Sequence, residues 1–237
     1  MSQYESSTIK SRLHLILSQI AQLNQTSQQS TQLLAVSKTK PATDIIEAYQ
    51  AGQRCFGENY VQEAVDKIAE LKQYQDIEWH FIGPIQSNKT RLIAENFDWV
   101  HSIDREKIAS RLNEQRPAEL AKLNVCLQIN ISQENSKSGT DIKQVFELAK
   151  YVSQQNNLCL RGIMAIPANT DDINQQKQSF AQMQQIFNQL KAEYDSVDTL
   201  SMGMTNDMAL AIEYGSTMVR IGTAIFGARA AKNQDKN

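Results

Sequence analysis

The sequence predicts one α/β domain, a TIM-like (β/α)8 barrel with an extra helix in front of it. Three observations predict it. Short apolar runs alternate with amphipathic helical patterns along the whole chain, as in strands joined by crossover helices into a parallel sheet. Eight strand–helix units of this kind follow one another, the number that closes a barrel. The chain has 237 residues, close to the roughly 250 of such a barrel, and no linker or composition break divides it.

The elements follow in order. Ile9, Leu13, Ile16, Ile20 and Leu23 share one face of an opening helix, expected to cover the bottom or flank of the barrel. Strands are expected at 33–37, 54–57, 78–82, 99–103, 124–131, 162–166, 199–202 and 217–221. Between them, Val61, Ala64, Val65, Ile68 and Leu71 keep a helical period. So do Ile142, Val145, Phe146, Ala149 and Val152, and again Phe180, Met183, Phe187 and Leu190. Pro41 opens the helix after the first strand, where its missing N–H costs nothing. Gly52 and Gly215 stand where helix C-caps belong. The glutamines at 175–189 lie on a helix with a good apolar stripe, so they read as its solvated face. The domain is expected to span residues 1–230, with a polar tail at 231–237.

Composition narrows the function classes. With 24 basic and 26 acidic side chains the net charge is −2, which gives no electrostatic reason for nucleic acid or membrane as a partner. Cys55, Cys126 and Cys159 are far apart and outside any CxxC pair, which argues against a disulfide framework or metal site. Three scattered histidines, His14, His80 and His101, do not make a metal centre. Free thiols, a polar N-terminus without a signal-type apolar region and no long apolar run lead to an expectation of a soluble, cytoplasmic protein.

Chemistry concentrates in three segments. In LLAVSKTKP a buried strand ends in Lys38, at the barrel rim where carbonyl cofactors are captured by an amine. The competing reading is a rim lysine snorkelling to solvent, as also for Lys40. In VRIGTAIFGAR, Gly222 and Thr223 follow the eighth strand and open a short helix, while SMGMTND follows the seventh. Loops after strands seven and eight often hold phosphate, and both here have the glycine and amides for it; two ordinary turns are the alternative. Arg220, inside the eighth strand, is costly unless paired. It either binds phosphate, faces a ring nitrogen or pairs with a carboxylate. In FGENY, Glu58 and Asn59 are expected to project at the barrel top, with Asn59 able to bond a phenolic oxygen or to cap the next helix. His80 and Met164 either touch a ligand ring or fill the core, and Lys137 either meets an anion or is a solvated loop charge.

AVSKTKP, FGENYVQE, WHFIGPIQSNK, SKSG, GIMAIP, SMGM and VRIGTAIFG occur in one order over about residues 33–229, and in this the chain resembles the pyridoxal phosphate homeostasis proteins. The resemblance implies the barrel of the alanine racemase N-terminal domain type, shared with bacterial-type ornithine decarboxylase. It implies pyridoxal 5′-phosphate held as a Schiff base on Lys38, with Ser201, Gly222 and Thr223 at the phosphate, Arg220 at the pyridine nitrogen and Asn59 near the ring. It further implies a role in vitamin B6 homeostasis. The expectation is a non-catalytic, monomeric carrier that buffers the cofactor or delivers it to apo-enzymes, since the C-terminal β domain of the racemases is expected to be missing. A racemase of low activity, with Lys38 as base, is the alternative.

Overall fold

The protein is described here by a computed structural model covering residues 8–132, 138–168, 170 and 172–228. Lys137, Arg229 and the expected tail at 231–237 lie outside the described residues. Thr8 caps α1 (Ile9–Ser27) by accepting from the Ser11 amide. The chain then alternates through β1 (Gln32–Val36), α2 (Ala42–Gln50), β2 (Cys55–Glu58), α3 (Val61–Glu70), β3 (Glu78–Phe81), α4 (Thr90–Asn96) and β4 (Trp99–Ile103). It continues through α5 (Glu106–Gln115), β5 (Leu123–Ile129), α6 (Val145–Ser153), β6 (Leu158–Ala165), α7 (Ile173–Glu193), β7 (Thr199–Ser201), α8 (Met208–Glu213), β8 (Met218–Ile221) and α9 (Thr223–Phe226).

The strands form a closed barrel in sequence order, with every neighbouring pair parallel and β8 returning to β1. The expected (β/α)8 barrel is therefore present. Of the two expected places for α1, the structure gives the flank: it packs against α2, α8 and α9, and Arg12 Nε donates to Ile225 O at 2.6 Å. Phe180, Met183, Ile186, Phe187 and Leu190 bury the stripe of α7, leaving its glutamines to solvent. No helix among the described residues is long and apolar enough to cross a membrane.

The strand ends differ from the sequence expectation most at β6, which begins at Leu158 and not at Gly162. Gly162 reads as a boundary residue, yet it sits mid-strand for a packing reason. The register steps from Val125↔Leu160 to Cys126↔Gly162, so Arg161 is an extra residue, a β-bulge. A Cβ on Gly162 would stand 1.8 Å from Thr199 O of β7, so only glycine lets the two strands pair here.

The apolar side chains separate into two cores. The larger fills the space between sheet and helices. The smaller, Trp99, Cys126 and Met164, lies in the barrel lumen. Parity along the strands turns Leu34, Gly57, His80, His101, Ser201 and Arg220 into the same lumen, so a space normally filled by branched aliphatics holds polar groups here.

Candidate functional site at the mouth of the barrel

Lys38 does not lie on β1, which ends at Val36; it lies in the tight turn that follows. The Ser37 amide still joins the ladder, donating to Gly57 O at 3.0 Å, and the Lys40 amide closes the turn on Ser37 O at 3.1 Å. Thr39 has φ +63°, a left-handed conformation that β-branched residues avoid. Such strain costs of order 1–3 kcal/mol and persists only where the surroundings enforce it.

The enforcement comes from beneath the turn. Lys67, on the buried face of α3, donates to Ser37 O at 2.9 Å, Glu58 Oε1 at 2.8 Å and Glu63 Oε1 at 2.6 Å, which uses all three ammonium hydrogens. Ser37 Oγ donates to Glu58 Oε1 at 2.6 Å, and the Thr39 amide to Glu63 Oε1 at 2.6 Å. Both residues flanking Lys38 are thus clamped to one buried ion cluster. Lys40 Nζ ties the far side of the turn to Ala228 O at 2.8 Å. Lys38 itself is half-buried.

This geometry corrects the expectation for Glu58. It does not project at the barrel top; it is fully buried on the outer side of β2, because Phe56 and Glu58 share the face opposite Gly57. Burial raises its pKa against the lowering effect of Lys67, and its Oε2 has no partner among the described residues. The sequence carried one signal for the clamp: Lys67 sits on the apolar stripe of α3, beside Ala64 and Leu71, and four residues after Glu63.

Asn59 follows β2 at the mouth. It does not cap α3, whose N-cap residue is Tyr60 with no side-chain bond. Its Oδ1 is buried and without a partner among the described residues, and it lines a cavity of about 210 Å³ together with Ile82, Pro84, Gln128, Asn130 and Ile166. The backbone of Asn59 is pressed so closely on Gly83 that a Cβ there would meet Asn59 O at 2.1 Å.

The other expected residues gather on the opposite arc of the mouth, where β7, β8 and β1 are neighbours. Arg220 is only 5% exposed, and no carboxylate of the described residues pairs with it. Its Nη1 donates to Ser201 O and Ser201 Oγ, each at 2.8 Å, and its Nη2 to Ala165 O at 2.9 Å. Burial lowers its pKa to about 10, so it stays a cation at neutral pH. Ser201 is fully buried at the end of β7, its hydroxyl shared between Arg220 and His101 Nδ1, the latter 3.1 Å away. Gly222 caps α9, and a Cβ on it would stand 3.1 Å from Val36 O, against the exit of β1. The Ile225 and Phe226 amides both donate to Gly222 O at 2.9 Å, which leaves those of Thr223 and Ala224, at the start of α9, without an acceptor within the helix.

His80 and Met164 are both lumen residues. His80 stacks on Trp99 with ring centroids 5.2 Å apart and an interplanar angle of 11°, while Met164 packs with Trp99 and Cys126. His14 is exposed on α1.

The alanine racemase N-terminal domain family matches residues 12–230, nearly the whole chain. A pyridoxal phosphate homeostasis protein of Pasteurella multocida is 62% identical over 203 residues, which cover 84% of this chain and 87% of that protein. The chain belongs to the pyridoxal phosphate homeostasis family. A homologue of the same name from Vibrio alginolyticus is 58% identical over 229 residues, 94% of this chain and 98% of that protein. Among solved structures, PipY of Synechococcus elongatus with pyridoxal phosphate bound superposes with a TM-score of 0.82 at 37% identity, covering 93% of this chain and all of that one (100%).

Proposed function

We propose that the protein binds pyridoxal 5′-phosphate at the mouth of the barrel, holds it by a reversible covalent link to the Lys38 amine, and buffers it or passes it to apo-enzymes. The observation that carries this reading is Arg220, a buried cation satisfied by carbonyls and a hydroxyl; among the described residues no carboxylate pairs with it, and Asp207 acts on it only through its charge. A guanidinium in that state is matched to an electron-rich ligand atom. The residues fit the cofactor in three further respects: the Asn59 Oδ1, which has no partner among the described residues, the close-packed Gly222, and the Thr223 amide, which has no acceptor within α9. Lys38, between two clamped residues, is the amine that would hold it; Ser201, Gly222 and Thr223 would hold the phosphate, Arg220 the pyridine nitrogen, and Asn59 the ring side. When bound, the cofactor supplies an aldehyde that condenses with an amine with loss of water.

What the chain's own groups do favours holding over turnover. Arg220 donates a hydrogen bond and keeps its proton, so a ring nitrogen facing it stays unprotonated, a poor state for accepting electrons from a substrate carbanion. The clamp of Lys67, Glu58 and Glu63 restrains both neighbours of Lys38 in a strained turn. We take the protein to act as a monomer in the cytoplasm.

Absorbance of the purified protein followed by borohydride reduction tests the tether. One cofactor mass fixed on the peptide containing Lys38, and none in Lys38→Ala, is expected; an adduct on another peptide refutes the assignment. Incubation of the holo-protein with amino acids in deuterated water tests the carrier reading. Only trace exchange at the α-carbon is expected, and turnover-scale exchange establishes the racemase alternative instead. Transfer to an apo-enzyme faster than free dissociation supports delivery, and an equal rate supports buffering alone.

A further inference from the structure

A continuous file of hydrogen bonds runs the length of the barrel lumen. It starts at the mouth, where Arg220 Nη1 lies 2.8 Å from Ser201 Oγ. Ser201 Oγ lies 3.1 Å from His101 Nδ1, and His101 Nε2 lies 2.9 Å from His80 Nδ1. His80 Nε2 then lies 2.8 Å from Glu78 Oε1, on the first residue of β3 at the barrel floor. The middle of this file is sealed: His80, His101 and Ser201 are each 0% exposed. Its floor end is wet, the Glu78 side chain being 43% exposed.

The two ends decide the direction of every bond. Guanidinium can only donate and carboxylate can only accept. With neutral rings, Glu78 therefore requires the hydrogen of His80 on Nε2, which leaves His80 Nδ1 as an acceptor. His101 must then carry its hydrogen on Nε2 and accept at Nδ1, and Ser201 must turn its hydroxyl hydrogen toward His101. In that state Ser201 donates its hydrogen to His101 and accepts from Arg220; in the reverse state it would accept from both and its hydrogen would face neither. Each member is thus satisfied once, all dipoles pointing from the cation at the mouth to the anion at the floor.

We propose that Glu78, His80 and His101 are positioning residues for the ligand site: a one-way hydrogen-bond relay anchored at the barrel floor fixes the Ser201 hydroxyl with its hydrogen on His101 and a lone pair toward Arg220, and so aims the guanidinium. The inference rests on the ligand-binding reading of Arg220 for its consequence, but the relay itself is a property of the protein without ligand. Groups near the relay are the Cys55 thiol, 3.5 Å from Glu78 Oε1, and Asp98, whose carboxylate acts electrostatically on His80. Trp99 walls the stacked face of His80, with Arg161 over its indole ring at 4.7 Å. Cys55 donates to the same carboxylate without being part of the file.

The decisive variant is Glu78→Gln. A glutamine amide can donate to His80 Nε2 as well as accept from it, so the one-way constraint is lifted while size and packing stay the same. Long-range 1H–15N spectra of the histidine rings, taken on cofactor-free protein near neutral pH, read the relay directly. In the wild type both buried rings are expected as neutral Nε2–H tautomers. In Glu78→Gln, His101 is expected to become partly or wholly Nδ1–H, although the substitution lies on the far side of His80. Pyridoxal phosphate is expected to bind three- to tenfold more weakly to Glu78→Gln, with a shifted absorbance maximum and an unchanged melting temperature. Cys55→Ser is expected to leave the tautomers and the affinity as they are. An Nδ1–H or doubly protonated ring in the wild type overturns the relay. Unaltered tautomers in Glu78→Gln, or altered tautomers with unaltered affinity, overturn the positioning role. Failure of the wild type to form the Lys38 adduct refutes the proposed function separately and leaves the spectra to judge the relay.

Discussion

His101 gives the sharpest test of the buried lumen. Full burial, the neighbouring His80 and the charge of Arg220 all push its pKa well below the ordinary 6.5. The unfolded chain therefore takes up a proton that the folded protein refuses. Its contribution to stability is present above the unfolded value and is lost as pH falls through it. With a folded value far lower, the loss follows RT ln(1 + 10^(6.5 − pH)), where 6.5 is the ordinary value. Between about pH 7 and about pH 5.5 this amounts to about 1 kcal/mol. Replacing His101 by glutamine keeps both neighbours satisfied, since the amide can donate toward His80 Nδ1 and its oxygen can accept from Ser201. The variant removes the titration without removing the bonds. Urea unfolding of both proteins at the two pH values should show the wild type losing about 1 kcal/mol more than His101→Gln. In a chain of this length that is about 2–4 °C of differential melting temperature. Parallel pH dependences would mean that His101 is not held neutral, and the reasoning fails with it.

The other predictions concern packing and the clamp. Lys67→Met leaves Glu58 buried beside an uncharged side chain, so unfolding experiments at neutral pH should show a loss of about 3–5 kcal/mol, shrinking as Glu58 is protonated at lower pH; a loss under about 1 kcal/mol denies the cluster its structural role. Gly83→Ala must move the Asn59 backbone, because the added methyl meets Asn59 O at 2.1 Å, and a cofactor titration should show weaker binding than the change in melting temperature accounts for; unchanged binding removes Asn59 from the site. Gly162→Ala places a methyl 1.8 Å from Thr199 O and should prevent the β6–β7 pairing, read as loss of soluble protein. A soluble variant with the wild-type melting temperature contradicts the bulge geometry.

Legibility in the sequence followed the range of the interaction. β4 occupies 99–103 as expected, because an apolar run flanked by turn residues is a local pattern. A glycine at 162 reads locally as a boundary, whereas the reason for it is Thr199 O on another strand, so the full extent of β6 back to Leu158 is not legible in the sequence. Lys38, Arg220 and Gly222 were legible as site candidates from residue type and place in the unit order. The outward placement of Glu58 is not legible in the sequence, because its partner, Lys67, lies on a helix whose rotation about the strand is set by packing. The link from His101 to Ser201 spans 100 residues, and nothing in either neighbourhood announces it.

By itself, then, the sequence determined the alternation of strands and helices, the closure expected of eight units, and the candidate lysine, arginine and glycines at the barrel mouth. Those follow from periodicity and side-chain chemistry, which the chain carries locally. Only the tertiary structure decided which way each side chain faces. Parity and barrel closure put Glu58 outside the lumen with Lys67, and put His80, His101, Ser201 and Arg220 inside it in one hydrogen-bonded file. Burial in a sealed lumen, which no local pattern encodes, turns those four scattered residues into a single polar unit.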